Sequence, residues 1–268
     1  MKLKSIFFSI FLVLCQIEIN AQTLTGSISY TQIDSFGQPT TMIMYFDNNK
    51  SICISNKGEK SKRKILANGE ELNTANPQKA MEQLSRSNKV YTYFFDEEGD
   101  IIYKNWKEDS LIIRDINHHD PVIAYQYPIP KINWKVVNLH KKIGTFDCQQ
   151  AVANFRGRKY IVWFTVQIPL PYGPWKFHGL PGLILEASDD EKKVQYAFKS
   201  VEIPLKDAII LDSKPKLGYR VNYKEYYGFL QKSEEEYVRS IISKASARGV
   251  VLSMQPGKIF KQEMNNEQ

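Results

Sequence analysis

Between Pro169 and Gly182, seven of fourteen residues are glycine or proline, and most of the rest are apolar. Residues 168–185 read IPLPYGPWKFHGLPGLIL. Proline removes backbone donors and fixes φ, and glycine loosens the chain, so neither a helix nor a strand ladder fits there. An irregular loop is ordinarily polar and solvated. This one carries Leu170, Tyr172, Trp175, Phe177 and Leu180, and burying such a side chain contributes on the order of 1.5–3 kcal/mol. The loop must therefore lie against something. Either it plugs the open side of a sheet, or it lines a mouth where an apolar ligand or a protein partner docks. On the second placement the binding residues are Trp175, Phe177, His178, Gly179, Leu180, Pro181 and Gly182.

The scaffold available to that loop is mostly β. Short runs rich in β-branched and aromatic residues recur at hairpin spacing: 24–33, 40–46, 51–55, 90–95, 101–106, 110–116, 122–127, 134–140, 145–155, 159–166, 183–188 and 194–203. Turn chemistry separates many of them, as in Asp47-Asn48-Asn49-Lys50 and Arg156-Gly157-Arg158. The three runs between 90 and 116 are so close that an antiparallel meander is expected. Residues 57–75, with Lys57, Lys60, Lys62, Arg63 and Lys64 close together, read as a solvated loop. Pro77 to Ser85 suits a short helix capped by Asn76. Asn222 to Ala247 repeats apolar residues at helical spacing, with Asn222 as cap and Gly249 as stop. The expected fold is mainly β (α+β): an antiparallel, curved or half-barrel-like sheet with a C-terminal helix packed on it. Aromatic residues at 12%, including 15 Tyr and 14 Phe, agree with that. With 43% hydrophobic and 24% charged residues, the composition excludes disordered and fibrous classes.

Met1-Lys2-Leu3-Lys4 followed by an apolar run from Ile6 to Cys15 reads as a secretory signal cleaved near Ala21. The run is shorter than the roughly 20 residues of a spanning helix, and no transmembrane span is expected in the mature chain. The organisation is thus a signal peptide over 1–21, one β-rich domain over 22–260, and a polar tail over 261–268. Cleavage removes Lys2, Lys4 and Glu18 and takes the net charge from +7 to +6, and export with that charge suits a cell-envelope setting, periplasmic or at the surface. Nucleic acid is not an expected partner, because the basic run lacks interleaved aromatics or a recognisable motif. Cys53 and Cys148 remain after cleavage, and an oxidising compartment permits either one disulfide or two free thiols.

Gly179-Leu180-Pro181-Gly182-Leu183-Ile184 spells GLPGLI, and the chain resembles the GLPGLI family of exported bacterial proteins, named for that hexapeptide. The frame around it is similar too: the aromatic strand Tyr160–Thr165, then Ile168-Pro169 and Gly173-Pro174, with a strand holding Cys148 upstream and Asp189 downstream. The resemblance is strongest over about 134–190 and extends towards Gly26-Ser27-Ile28-Ser29-Tyr30. Phe164 stands where a tyrosine is commoner. The resemblance implies export, a β-rich domain and an envelope role. It brings no catalytic residues, because the family has no established activity.

Other chemistry has thinner support in the residues. His118-His119-Asp120 is the densest group of ligand types, but a metal site needs three or four converging donors. Met42, Met44 and Cys53 on one hairpin would suit a soft metal. Cys148 with His140 would be a thiol–imidazole pair if their side chains met. Asp96, Glu97, Glu98 and Asp100 read as solvated turn residues, and no phosphate loop is present. The expectation is a non-enzymatic exported envelope protein without a cofactor, binding an apolar ligand or an envelope protein partner. A hydrolase with a site near the GLPGLI loop and a soft-metal binder are the alternatives.

Overall fold

The computed structural model describes residues 24–251, apart from 34–38, 88–89, 117–120, 206–210, 212–213, 248 and 250. The expected signal segment, the His118-His119-Asp120 group and the polar tail lie outside the described residues. The chain runs through β1 (Gly26–Ile33), β2 (Pro39–Phe46), β3 (Lys50–Ser55), β4 (Ser61–Leu66), α1 (Pro77–Arg86), β5 (Val90–Phe95), β6 (Asp100–Asn105) and β7 (Ser110–Asp115). It continues through β8 (Val122–Gln126), β9 (Lys135–Ile143), β10 (Phe146–Phe155), β11 (Arg158–Thr165), β12 (Leu183–Asp189), β13 (Gln195–Glu202), β14 (Tyr219–Asn222) and α2 (Tyr223–Ser246). Twelve strands form one sheet in the order β14-β8-β7-β6-β3-β2-β1-β13-β12-β11-β10-β9. Every pairing in it is antiparallel except β14 with β8. The sheet is unclosed, with β14 and β9 as its edges, and the C-terminal helix packs on it. No helix among the described residues is long and apolar enough to cross a membrane.

Local chemistry accounts for most of these elements. The Asn76 side chain accepts from Lys79 N at 3.1 Å and so caps α1, and Asn222 accepts from Lys224 N at 3.0 Å at the start of α2. The turn between β10 and β11 places Arg156 and Gly157 at φ 50° and 82°, the double positive φ that tight hairpins require. Two expectations fail. Residues 61–66 are not a loop, because β4 pairs with β5 and sets Lys62 against Phe94 and Arg63 against Tyr93. Aromatic partners thus hold the basic run in a strand, while Lys57, Lys60, Lys62 and Arg63 are exposed as expected. The expected meander breaks for the same reason. β5 leaves to pair with β4, and β6 pairs with β3 and β7 instead.

The inward face of the sheet is filled by the Pro/Gly loop. Ile28, Tyr30, Met42, Met44, Phe46 and Cys53 on one side, and Tyr160, Val162, Phe164 and Tyr196 on the other, form one core with Leu170, Tyr172, Trp175, Phe177 and Leu180. Phe177 meets Tyr160 edge-on at 4.8 Å between ring centroids and Trp175 at 5.1 Å, geometries that add to the area buried. The opposite face of β3, β6, β7 and β8 is buried as well, through Ile52, Ile101, Tyr103, Ile112 and Ile123 with Leu211. α2 covers the end near β7 and β8, where Tyr223, Tyr226, Tyr227 and Leu230 pack on Leu111, Ile113, Val122 and Ala124.

The hexapeptide is legible as packing. Leu180, Leu183 and Ile184 are buried. Gly179 has φ +91° and open space where a Cβ would stand, so it answers a backbone demand. Gly182 answers a steric one: a Cβ there would stand far inside contact distance of the Thr165 carbonyl oxygen. Gly182→Ala should therefore lower the thermal midpoint much more than Gly179→Ala, whose cost is confined to about 1–2 kcal/mol of left-handed strain. Equal midpoints for the two variants in a melting experiment would refute this assignment of roles.

Candidate functional site

Pro171, Pro174 and Pro181 offer no backbone N–H, so the loop is rich in acceptors and poor in donors. Lys104, fully buried on β6, supplies the missing donors. Its Nζ donates to the carbonyls of Gly173 at 3.1 Å, Trp175 at 2.9 Å and Phe177 at 3.1 Å. Trp175 sits at φ 53°, a costly conformation for a bulky residue. Tyr30 Oη donates to Ile184 O at 2.6 Å, and Trp134 Nε1 donates to His178 O at 2.7 Å. Burial pushes Lys104 down to about 8, while the three carbonyls hold its proton.

Behind the pinned loop, between the sheet and α2, lies a cavity of about 190 Å³. Met42, Ile102, Ile113 and Leu230 give it apolar walls, with Trp175, Tyr196, Tyr226 and Tyr227 as aromatic ones. Its polar lining comes from Gln32, Ser55, Asp100, Arg114, Asp115 and Lys176. Asp100 begins β6 and Asp115 ends β7, beside the cross-strand pair Ile101–Arg114. Asp100 accepts from Ile116 N at 2.7 Å and from Asn56 Nδ2 at 2.6 Å. Asp115 accepts from Tyr226 Oη at 2.5 Å. Burial first, and the neighbouring Asp115 charge second, push the Asp100 carboxyl up to about 8. Tyr226 is also raised well above its ordinary value, by burial and then by Asp115.

A buried cationic group stands next to this space. Lys176 Nζ donates to Tyr223 Oη at 2.8 Å and lies 5.1 Å from the Trp175 ring. The Arg156 guanidinium also donates to Tyr223 Oη, and to Gln126 Oε1 at 2.6 Å. The Arg114 guanidinium is taken up by Asp96, Glu98 and the Gly99 carbonyl.

Of the residues expected to bind, Trp175, Phe177, His178, Leu180 and Gly182 are buried, and Gly179 and Pro181 are exposed. Only Trp175 borders the cavity. His178 Nδ1 lies 2.8 Å from Lys176 O. Burial, then the charge of Lys104, lower its pKa to about 4, outweighing the carbonyls of Lys176 and Pro130. Cys53 and Cys148 are free and buried. Met44 does face Cys53 across β2 and β3, but Cys53 lies 3.9 Å from the Trp175 carbonyl and burial raises its pKa. Cys148 pairs with Lys141 and Gln149 with His140. These adjacent pairs point to opposite faces, so the thiol and imidazole do not meet, and burial pushes Cys148 up to about 11. No group of three or more His, Cys, Asp or Glu able to hold a metal occurs among the described residues.

The acidic run corrects the reading of residues 96–100. Glu97 is exposed, but Asp96 and Glu98 hold Arg114, and Asp100 faces the cavity. Sequence reasoning missed Asp100, Lys104 and Asp115. A parity count would have found the first two, because Asp100 and Lys104 share the inward phase of β6 with Ile102.

Residues 156–186 match the family described as "Protein of unknown function (Porph_ging)". That stretch holds β11, the loop and the hexapeptide. No curated protein matches the chain. Among solved structures, PNGF-II in its P21 crystal form is similar at a TM-score of 0.49 and 14% identity, over 78% of this chain and 34% of that one. The C2 form gives 0.49 and 16%, over 79% and 33%. This chain thus spans about a third of the length of PNGF-II. An uncharacterized conserved protein from Thermus thermophilus gives a TM-score of 0.39 and 8% identity, over 74% of this chain and 90% of that one. At these TM-scores the likenesses carry no functional argument.

His178 and Asp100 set opposite pH limits. The folded His178 has a pKa below its unfolded value, so stability is lost as pH falls from about 6.5 to about 4. The folded Asp100 has a pKa above its unfolded value, so stability is lost as pH rises from about 4 to about 8. Asp100→Asn, with the Asn56 amide free to flip and accept from it, should raise the thermal midpoint at pH 8 and leave it unchanged at pH 4. His178→Gln should flatten the acid limb. A midpoint for Asp100→Asn at pH 8 no higher than that of the unmodified chain would exclude the assignment.

Proposed function

We propose that this chain is an exported cell-envelope protein of the GLPGLI type that binds a small ligand and does not transform it. The observation that carries the binding is the half-open cavity of about 190 Å³ between the sheet, the loop and α2. A dry apolar cavity of about 150 Å³ already holds a molecule the size of benzene, and this one adds polar groups that can orient a ligand. Export rests on the N-terminal segment, and the family assignment on the hexapeptide and its frame, part of which falls within the matched stretch 156–186. The buried loop residues act through the scaffold: Trp175 forms part of the wall, and Phe177, His178 and Leu180 hold it in place.

Protein recovered from the envelope fraction without a denaturing step should show, in native mass spectrometry, a small mass excess that disappears on denaturation. Ile113→Phe, which fills the cavity from β7, should abolish that excess while leaving the circular dichroism unchanged. A clean ligand-free mass for the unmodified chain, or an excess that survives in Ile113→Phe, would defeat the proposal.

A further inference from the structure

The lining of the cavity also specifies a class of ligand, an inference that rests on the binding function proposed above. Its sheet side is rich in acceptors. Asp100 and Asp115 come from neighbouring strands, and Gln32 Oε1 is buried with no hydrogen-bond partner. A buried acceptor left without a donor costs free energy that a ligand N–H would recover. Trp175, Tyr196, Tyr226 and Tyr227 line the same space, and aromatic rings attract ammonium groups. The two cationic side chains on the wall are directed to partners: Arg114 to Asp96, Glu98 and the Gly99 carbonyl, and Lys176 to Tyr223. α2 contributes tyrosines and Leu230 to the lining and no charged side chain.

We propose that the cavity binds a small primary amine in its ammonium form, the charged nitrogen among Asp100, Asp115 and Gln32 and the apolar portion against Met42, Ile113 and Leu230. Entry of the ammonium drives the Asp100 proton off to solvent, so binding releases a proton near neutral pH and tightens as pH rises towards 8.

Titration calorimetry of the folded chain tests this with three probes of one shape: benzylamine, benzyl alcohol and benzoate. Benzylamine should bind at one site at least tenfold more tightly than benzyl alcohol, and benzoate should give no heat. Repeating the titration in two buffers of different ionisation enthalpy should show proton release at pH 7. Asp100→Asn should weaken benzylamine at least threefold and abolish the proton release. The double variant Asp100→Asn with Asp115→Asn should weaken it at least tenfold with benzyl alcohol unchanged. Equal binding of amine and alcohol, binding of benzoate, or indifference of benzylamine to Asp100→Asn overturns the amine assignment and leaves the cavity reading standing. Heat from none of the three also overturns it, and the native masses then decide the cavity reading separately.

Discussion

One ammonium group answers the central difficulty of this fold. A loop built from prolines and glycines is short of backbone donors, yet it has to enter the core because its side chains are apolar. Buried carbonyls without donors cost free energy each. Lysine is the side chain that places three N–H donors on a single atom, and Lys104 aims them at the carbonyls of Gly173, Trp175 and Phe177. The left-handed backbone at Trp175 belongs to the same solution, since its carbonyl receives Lys104 and faces the Cys53 thiol. Lys104→Met should therefore cost at least about 3 kcal/mol in urea unfolding, because several acceptors are left together without their donor. A loss under about 1 kcal/mol would show that the loop is held by its apolar contacts alone.

Once the loop is pinned, the cavity follows. Trp175 and Lys176 become a fixed wall, the inward side chains of β6 and β7 a second, and α2 a third. The helix reaches that position because Tyr223, Tyr226, Tyr227 and Leu230 recur on one side of it and find Leu111, Ile113, Val122 and Ala124 below. Walls fixed before a ligand arrives lower the ordering cost of binding. The pocket is therefore a consequence of the same packing that makes the hexapeptide what it is.

Much of this was legible in the chain. The apolar loop, the β-dominated body, both helix caps and the hairpin at Arg156-Gly157 follow from local rules of residue chemistry. What was not legible depended on pairings between distant segments. The basic run 61–66 becomes a strand only because the aromatic residues of β5 come to lie beside it, and the parallel strand β14 depends on β8. Asp100 looked like one more acid in a turn, and only the register of β6 against β7 brings it beside Asp115. Parity puts Lys104 on the inward phase of β6, but the three carbonyls it meets come from a distant segment of the chain.

The polar groups of the inward face divide according to how fully the fold itself satisfies them. Lys104 meets three carbonyls, and Arg114 meets two carboxylates and the backbone, so burial of each is matched by interactions it needs. Asp100 is different. Its two hydrogen bonds, from Ile116 N and Asn56 Nδ2, could be kept by a neutral amide once the Asn56 amide turns its oxygen to it, and its carboxyl holds a proton that burial and Asp115 force on it. An amide side chain would serve the plugged sheet at lower cost. An ionisable group that the scaffold does not require, set at the wall of a cavity, is the group that the proposed amine ligand would use.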